Sequence, residues 1–266
     1  MKKILIIGKR GFIGNNLSIY LRKSYKVRHK NFKDSIKMKL KINNFDYIIN
    51  TSINKNYIKK RYNSKFDNDY KLSKLIHNSK TTYIFLSTRK VYKPKSNIKE
   101  KSKLLPNSNY SKNKLITEQK LFKQLNKKLL ILRISNVIGD KEKIKKIHNT
   151  FIDIFFNNIN KGFVIDNKKD FKDFISIDKF CEIIKNIIKK DLNGTYNVSI
   201  GRKVYLNDLL NWLNRFNKRK FIVKPKNIKD DNFYLNNKKL MSQLKIKNSL
   251  SELKKYCLEI SKRKFS

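Results

Sequence analysis

The sequence predicts an α/β protein built on a doubly wound parallel sheet. Three observations carry that expectation. Ile4 to Ile7 is an unbroken, mostly β-branched apolar run, as a strand buried on both faces requires. Gly8, Gly11 and Gly14 follow at once and lead into a helical pattern with Phe12, Ile13, Leu17, Ile19, Tyr20 and Leu21 on or near one side. Further down the chain, strand-like and helix-like runs alternate.

Strand, glycine-rich turn and helix in that order form a dinucleotide-binding unit. Gly8 allows the tight turn, Gly11 lets the backbone approach a pyrophosphate, and Gly14 lets the helix pack on the strand. The phosphates then meet free N–H groups and the positive end of the helix dipole. This assigns Gly8, Arg10, Gly11, Phe12, Ile13 and Gly14 to cofactor binding. Lys26 to Asn31 reads as a second strand. A carboxylate at its end would hold a ribose 2′-hydroxyl, but the residues there are Arg28, His29, Lys30 and Asn31. Arg28, with Arg10 inside the turn, suits a 2′-phosphate, so NADP is favoured over NAD.

Phe45 to Thr51 is the next buried strand, and its end, Asn50 to Ile53, should lie near the cofactor. Residues 55 to 66 are polar and basic and read as irregular. Asn68 to Asn78 is amphipathic, with Leu72, Leu75 and Ile76 inward, and Thr82 to Ser87 is a fourth strand. Residues 1–140 thus form the cofactor-binding domain. Residues 141–162 carry Ile144, Ile147, Phe151, Ile154 and Phe155 at helical spacing, a core stripe in which His148 is structural or exposed. Phe163 to Asp166 reads as a strand, Ile177 to Lys189 as a helix and Thr195 to Ser199 as a strand, and these elements from about 163–199 return to the first domain. Leu206 to Phe216 and Leu250 to Ile260 read as helices of a second unit made of 141–162 and 200–266. Pro94, Pro106 and Pro225 mark loops.

The 266 residues suffice for a substantial core. The two cysteines, Cys181 and Cys257, make no disulfide framework and no metal site is assigned, so a reducing cytoplasm is expected. No apolar run approaches a membrane span, and the chain enters a strand at once, without a leader. The net charge of +45, from 65 Lys and Arg against 20 Asp and Glu, suggests a nucleic-acid partner at first sight. The cations are spread over every segment, and no nucleic-acid-binding module is legible, so a specific nucleic-acid partner is not expected. The charge would still help attract an anionic substrate.

The chemistry sits after the fourth strand. That strand runs into Ser87 and Thr88, and beyond the Pro94–Pro106 loop come Tyr110 and Lys114, four residues apart and on one face of a helix. A free phenol titrates near about 10. An ammonium beside it, with an oxidised nicotinamide ring, favours the phenolate and fits the phenol for acid–base work. A hydroxyl from Thr88 would bind the reacting oxygen.

These segments together resemble the extended short-chain dehydrogenases/reductases, in particular the NAD-dependent epimerase/dehydratase family that acts on nucleotide sugars. GKRGFIG matches the family's G-x-x-G-x-x-G, LSTRKVY its Ser-Ser/Thr-x-x-Val-Tyr segment, and YSKNK its Tyr-x-x-x-Lys. ILRISNVIGD is similar to Leu-Arg-x-x-Asn-x-x-Gly, and DFKDFISIDKF resembles Arg-Asp-Phe-x-x-Val-x-Asp with Lys172 in the arginine's place. GTYNVSIG and LNNKKLMSQLKIKNSLSELKKY resemble a later strand and the closing helix pair, so the likeness spans nearly the full chain.

The resemblance implies a Rossmann-type core with a small C-terminal substrate-binding lobe. It implies a catalytic set of Thr88, Tyr110 and Lys114, with Lys114 also on the cofactor. Ser87 and Asn136 would lie near a nucleotide-sugar substrate, Arg133 would be structural, and the Tyr110 helix would pair in a homodimer. Where the 4,6-dehydratase branch carries an acidic pair, this chain has Arg89 and Lys90, which argues against dehydration. Lys93 replaces the glycine that usually follows Val-Tyr. Compactness and Arg10 are similar to reductase branches such as dTDP-4-dehydrorhamnose reductase and GDP-fucose synthase. Reduction of a 4-keto sugar and epimerisation both stay open. So does a non-catalytic dinucleotide-binding regulator or scaffold of the same fold.

Overall fold

Lys3–Ile7 forms the inner strand of a six-stranded parallel sheet, paired with Lys26–Lys30 on one side and Tyr47–Asn50 on the other. The coordinates are a computed structural model that describes residues 1–77, 80–139, 151–165, 170–224 and 231–266. Beyond Tyr47–Asn50 the sheet continues through Thr82–Thr88, Leu129–Ile134 and Gly194–Val198. The chain steps outward to Lys26–Lys30, then crosses back over the first strand to Tyr47–Asn50. The strand order therefore reverses between Ile7 and Asn50, and a crevice opens there at the carboxyl ends, the usual ligand position in such sheets.

Burial explains the strand sequences. Every residue of Tyr47–Asn50 and Leu129–Ile134 is buried, as strands covered on both faces must be. Lys26–Lys30 lies at an edge and is correspondingly polar and partly exposed. On one face Leu17 and Leu21 from the helix Phe12–Arg22 meet Phe180, Ile184 and Ile188 from the helix Ile177–Lys190. On the other, Leu72, Leu121 and Leu125 cover Leu5, Ile48, Tyr83 and Phe85. Each such side chain contributes about 1.5–3 kcal/mol of burial. A separate cluster joins the helices Phe151–Asn160, Leu206–Leu213 and Leu250–Phe265 through Phe155, Leu209, Leu213, Leu253 and Cys257. The helix Lys238–Leu244 packs instead on the main-sheet cluster, through Leu240 and Leu244.

Several local expectations change. Ile19 is 56% exposed, because the buried stripe runs through Phe12, Gly14, Leu17, Ser18 and Leu21. Residues 55 to 66 are irregular only between two short helical elements. Lys55–Lys59 is a helix whose cap, Asn54, accepts from the Asn56 N–H, and Ser64–Phe66 is a short 3-10 turn capped by Asn63. The helix after Asp67 runs only from Asn68 to Ser73, and a turn then carries Leu75 and Ile76 into contact with the core. Ile144, Ile147, His148, Asp166 and Pro225 lie outside the described residues.

Candidate active site

The glycine turn is a cradle closed by Thr51. The Thr51 N–H and hydroxyl both donate to the Ile7 carbonyl at 2.8 Å, which fixes this threonine against the turn. Gly8 has a φ of +118°, and a Cβ there would lie 2.3 Å from Thr51 Oγ1. A Cβ on Gly14 would lie 2.5 Å from the same oxygen and 2.7 Å from the Gly8 carbonyl. At Gly11 the nearest atom would be 3.4 Å away, so that glycine is not demanded by packing. Gly11 caps the helix Phe12–Arg22 without a side-chain hydrogen bond. The amino-terminal end of that helix, with the positive end of its dipole, faces the turn and suits an anion. Phe12 is buried against Gly139, where a Cβ would meet its ring at 2.2 Å. The glycine ending ILRISNVIG thus makes room for the turn's phenylalanine. A cradle shaped this way fits a dinucleotide pyrophosphate.

Of the two arginines assigned to the cofactor, Arg10 is exposed in the turn. Arg28 is exposed on the edge strand, with its guanidinium 5.9 Å from the ring of Phe45, a residue at the amino-terminal side of the sheet. The structure therefore does not bring Arg28 to the glycine turn. His29 and Lys30 are nearer: the Gly8 N–H donates to the Lys30 carbonyl at 2.8 Å, and His29 Nε2 would lie 3.3 Å from a Cβ on Gly14.

The helix Asn109–Leu125 carries the candidate chemistry. Ser108 starts it with a reciprocal cap: its hydroxyl accepts from the Ser111 N–H while its own N–H donates to Ser111 Oγ. Tyr110 is half-buried in the first turn, and Lys114 is one turn further in. Lys114 is buried. Its Nζ donates to the Leu86 carbonyl at 2.9 Å, lies 4.4 Å from the Phe85 ring centroid and 3.8 Å from Asp69 Oδ2. Lys114 reaches the fourth strand two residues before Thr88, where that strand ends, and Tyr110 precedes Lys114 by one helical turn. Thr88 is 8% exposed, and its Oγ1 accepts from the Lys90 N–H at 3.3 Å.

One turn past Lys114, Glu118 faces inward as well. It accepts the Ser87 hydroxyl at 2.5 Å and pairs with Arg133, whose Nη2 lies 2.6 Å from Oε2. Arg133 also donates to the Tyr92 hydroxyl and the Glu100 carbonyl. Ser87 is thus turned into the protein, while Thr88 supplies the hydroxyl at the strand's end. Asn136 is half-buried, with its Nδ2 donating to the Asp173 carbonyl at 3.2 Å.

Of the basic pair after Thr88, Arg89 is engaged and Lys90 is exposed. Arg89 holds Asp231 through two hydrogen bonds, at 3.0 and 2.6 Å, and stacks 3.7 Å over the Phe233 ring, while Lys172 reaches the same carboxylate at 3.0 Å. Burial opposes the charge on Asp231, but Arg89 and then Lys172 hold the carboxyl down at about 2.

The profile described as the NAD dependent epimerase/dehydratase family matches residues 4–199. The chain belongs to that family. A curated relative, the dTDP-D-glucose 4,6-dehydratase of Dictyostelium discoideum, is 26% identical over 253 residues, covering 74% of this chain, and the match spans 58% of that relative's length. Among solved structures, the UDP-N-acetylglucosamine 4-epimerase from Methanobrevibacter ruminantium superposes with a TM-score of 0.80 at 18% identity, over 98% of this chain and 97% of that one. The dTDP-4-dehydrorhamnose reductase from Clostridium acetobutylicum gives 0.76 at 19% identity, over 96% and 98%. At those identities the structures show a shared fold, and the six-stranded parallel core described above is that fold.

Sequence reasoning about this epimerase/dehydratase family member missed three residues that shape the site. Thr51 falls in the Asn50-to-Ile53 stretch expected near the cofactor, but its packing against Gly8 and Gly14 left no local signal. Glu118 continues the four-residue spacing of Tyr110 and Lys114, and that spacing was the signal available for it. Asp69 is an acid on a short, inward-facing helix in a chain poor in acids, and it lies together with Ser52, Asn54, Tyr57 and Asn68 beyond the third strand.

Proposed function

We propose that this chain is an NAD(P)-dependent oxidoreductase or epimerase that works by hydride transfer on a nucleotide-linked sugar. The observation that carries the reading is the seating of Lys114 on the Leu86 carbonyl. It supports a reading in which Tyr110 and Thr88 act at the carboxyl edge of the sheet, beside the glycine turn. In that arrangement the glycine turn and the start of the helix Phe12–Arg22 receive the pyrophosphate, and Lys114 binds the cofactor ribose. The bound nicotinamide supplies the hydride chemistry. Thr88 orients the sugar oxygen, and Tyr110 gives it a proton when a carbonyl is reduced or takes one when an alcohol is oxidised. The Lys114 ammonium favours the phenolate in the second direction.

Elimination of water needs an acid and a base beyond the tyrosine. Arg89 and Lys90 cannot supply that pair, and Asp231, held ionised by Arg89, is a poor proton donor. The reading is therefore reduction of a 4-keto sugar or epimerisation, rather than dehydration. The lack of a carboxylate at the end of the second strand favours NADP, with Arg10 and the neighbouring Lys30 and His29 closest to a 2′-phosphate. Cys181 and Cys257 are free and buried, and burial pushes both thiols up to about 12, which suits a cytoplasmic enzyme without redox use of cysteine. Phe122, 60% exposed on the Tyr110 helix, supports pairing of two copies along that helix.

The decisive experiment is Tyr110→Phe. Turnover on a competent nucleotide sugar should fall at least about a thousandfold, near the upper range for loss of a general acid–base group. The thermal shift given by NADP should persist. Full activity in that variant would refute the mechanism. A wild-type protein that binds the dinucleotide but turns over no nucleotide sugar would favour the non-catalytic regulator instead.

A further inference from the structure

We infer that Asp69 is a positioning residue of the Tyr110–Lys114 pair, the buried counter-ion that keeps the Lys114 ammonium charged and fixed at the carboxyl edge of the sheet. The inference rests on the reading of Tyr110 and Lys114 given above.

Both partners are out of water: Lys114 is 6% exposed and Asp69 5%. An ammonium so placed is costly unless an anion and hydrogen bonds compensate it. Among the described residues Asp69 is the carboxylate within 4 Å of Nζ, at 3.8 Å from Oδ2. The other buried acids nearby are engaged elsewhere. Glu118 is locked on Arg133 and Ser87. Asp67 accepts from Thr117, Tyr62 and the Tyr70 N–H. The carboxyl of Asp69 is itself oriented. Its Oδ1 accepts from Asn50 Nδ2 at 2.9 Å and from the Tyr83 hydroxyl at 2.8 Å, which leaves Oδ2 for Lys114. Asn50 ends the third strand and also binds the Ser52 N–H and hydroxyl. Through Asp69, the lysine is therefore tied to the crevice between the first and third strands as well as to the fourth.

The charged and titratable groups that face Asp69 are Lys114, Asp67, Tyr83 and Tyr57. Burial lifts the Asp69 carboxyl to about 6, with Lys114 pulling it back. The pair is thus intact at neutral pH and loses its anion in mild acid.

Asp69→Asn keeps the shape and removes the charge. In the cofactor-free protein, trace acetylation with acetic anhydride followed by peptide mass spectrometry reads the free-amine fraction of each lysine. Lys114 should react about tenfold faster in the variant at pH near neutral, the equivalent of about one pKa unit, while other lysines keep their rates. In the holoenzyme, kcat should drop about tenfold or more, and the limb of the pH profile that Tyr110 sets should move to higher pH by a similar margin. If the variant fails to fold, Lys114→Met gives the reciprocal readout: the Asp69 carboxyl, followed by carbon-13 NMR, should titrate higher than in the wild type. Unchanged Lys114 labelling with an unchanged pH profile in Asp69→Asn, or an unchanged Asp69 titration in Lys114→Met, would overturn the inference. Neither result would touch the reading of the site, which is tested separately by Tyr110→Phe and by turnover of the wild type.

Discussion

Gly8, Gly11 and Gly14 look equivalent on paper, yet the atoms around them make three different demands. Gly14 abuts the Gly8 carbonyl and Thr51 Oγ1, and Gly8 adds a positive φ to its own close approach to Thr51. Gly8→Ala and Gly14→Ala should each cost about 1–3 kcal/mol, as overpacking does. In a chain of this size that lowers the melting temperature by about 2–4 °C per kcal/mol. Gly11 has an ordinary φ of −89° and room for a methyl group, so Gly11→Ala should melt like the wild type and lose only dinucleotide affinity. Differential scanning calorimetry with and without NADP separates the two effects. Asp69 gives a second prediction at this scale. Its folded carboxyl is raised to about 6 by burial, above the ordinary value near about 4. The stability it contributes is therefore fully present below about pH 4 and is lost as pH rises through about 6. Asp69→Asn removes that dependence, so the melting-temperature difference, variant minus wild type, should grow between those two pH values and then level off.

The helix Asn109–Leu125 shows what an element adds to its residues. Its inner face sets Lys114, Thr117, Glu118, Leu121 and Leu125 against the sheet, and Ser108 fixes where it begins. Ser108→Ala should cost about 1 kcal/mol of stability. It should also raise the KM for the sugar, because Tyr110 lies in the first turn, where fraying is felt. Glu118→Gln is the harsher change. It leaves the Arg133 guanidinium buried without its anion, a loss of about 3–5 kcal/mol, and urea unfolding would read it directly. The same helix shows what was legible beforehand. Tyr110 and Lys114 could be found because helical spacing is periodic, as could the glycine turn, because its residues are contiguous. The Glu118–Arg133 lock and the Asp69–Lys114 pair join elements far apart in sequence, and a local pattern carries no trace of who meets whom. Residues 55 to 66 were misread for a related reason: single asparagines start those turns, and the abundance of lysine and asparagine across the chain hid them. Arg28 was assigned to the cofactor because it is close in sequence, but on an edge strand its side chain can lean to the other end of the sheet.

Across the whole molecule the charge is the largest unbalanced quantity. Cations outnumber acids 65 to 20, and several of the acids, among them Asp67, Asp69, Glu118 and Asp173, are buried and unavailable to neutralise the surface. The exterior is therefore more basic than the composition alone suggests, and its lysines repel one another over distances that salt screens, about 10 Å at 0.1 M. Folding concentrates that repulsion, so screening should favour the folded state. Raising NaCl from about 0.02 M to about 0.5 M should raise the melting temperature, where a protein balanced in charge would show little change. The same field should hold any polyanion at low salt. If it acts only as diffuse attraction, binding of RNA or heparin will fall steeply with salt and show no sequence preference, as counterion release dictates. A nucleotide sugar bound in the crevice should keep much of its affinity over that range, since buried contacts are screened far less. Binding isotherms for both ligands across the salt series therefore test the reading of the charge. A sequence preference for RNA that survives at about 0.15 M salt would make nucleic acid a true partner, and the even spread of lysine could no longer be taken as a property of composition alone.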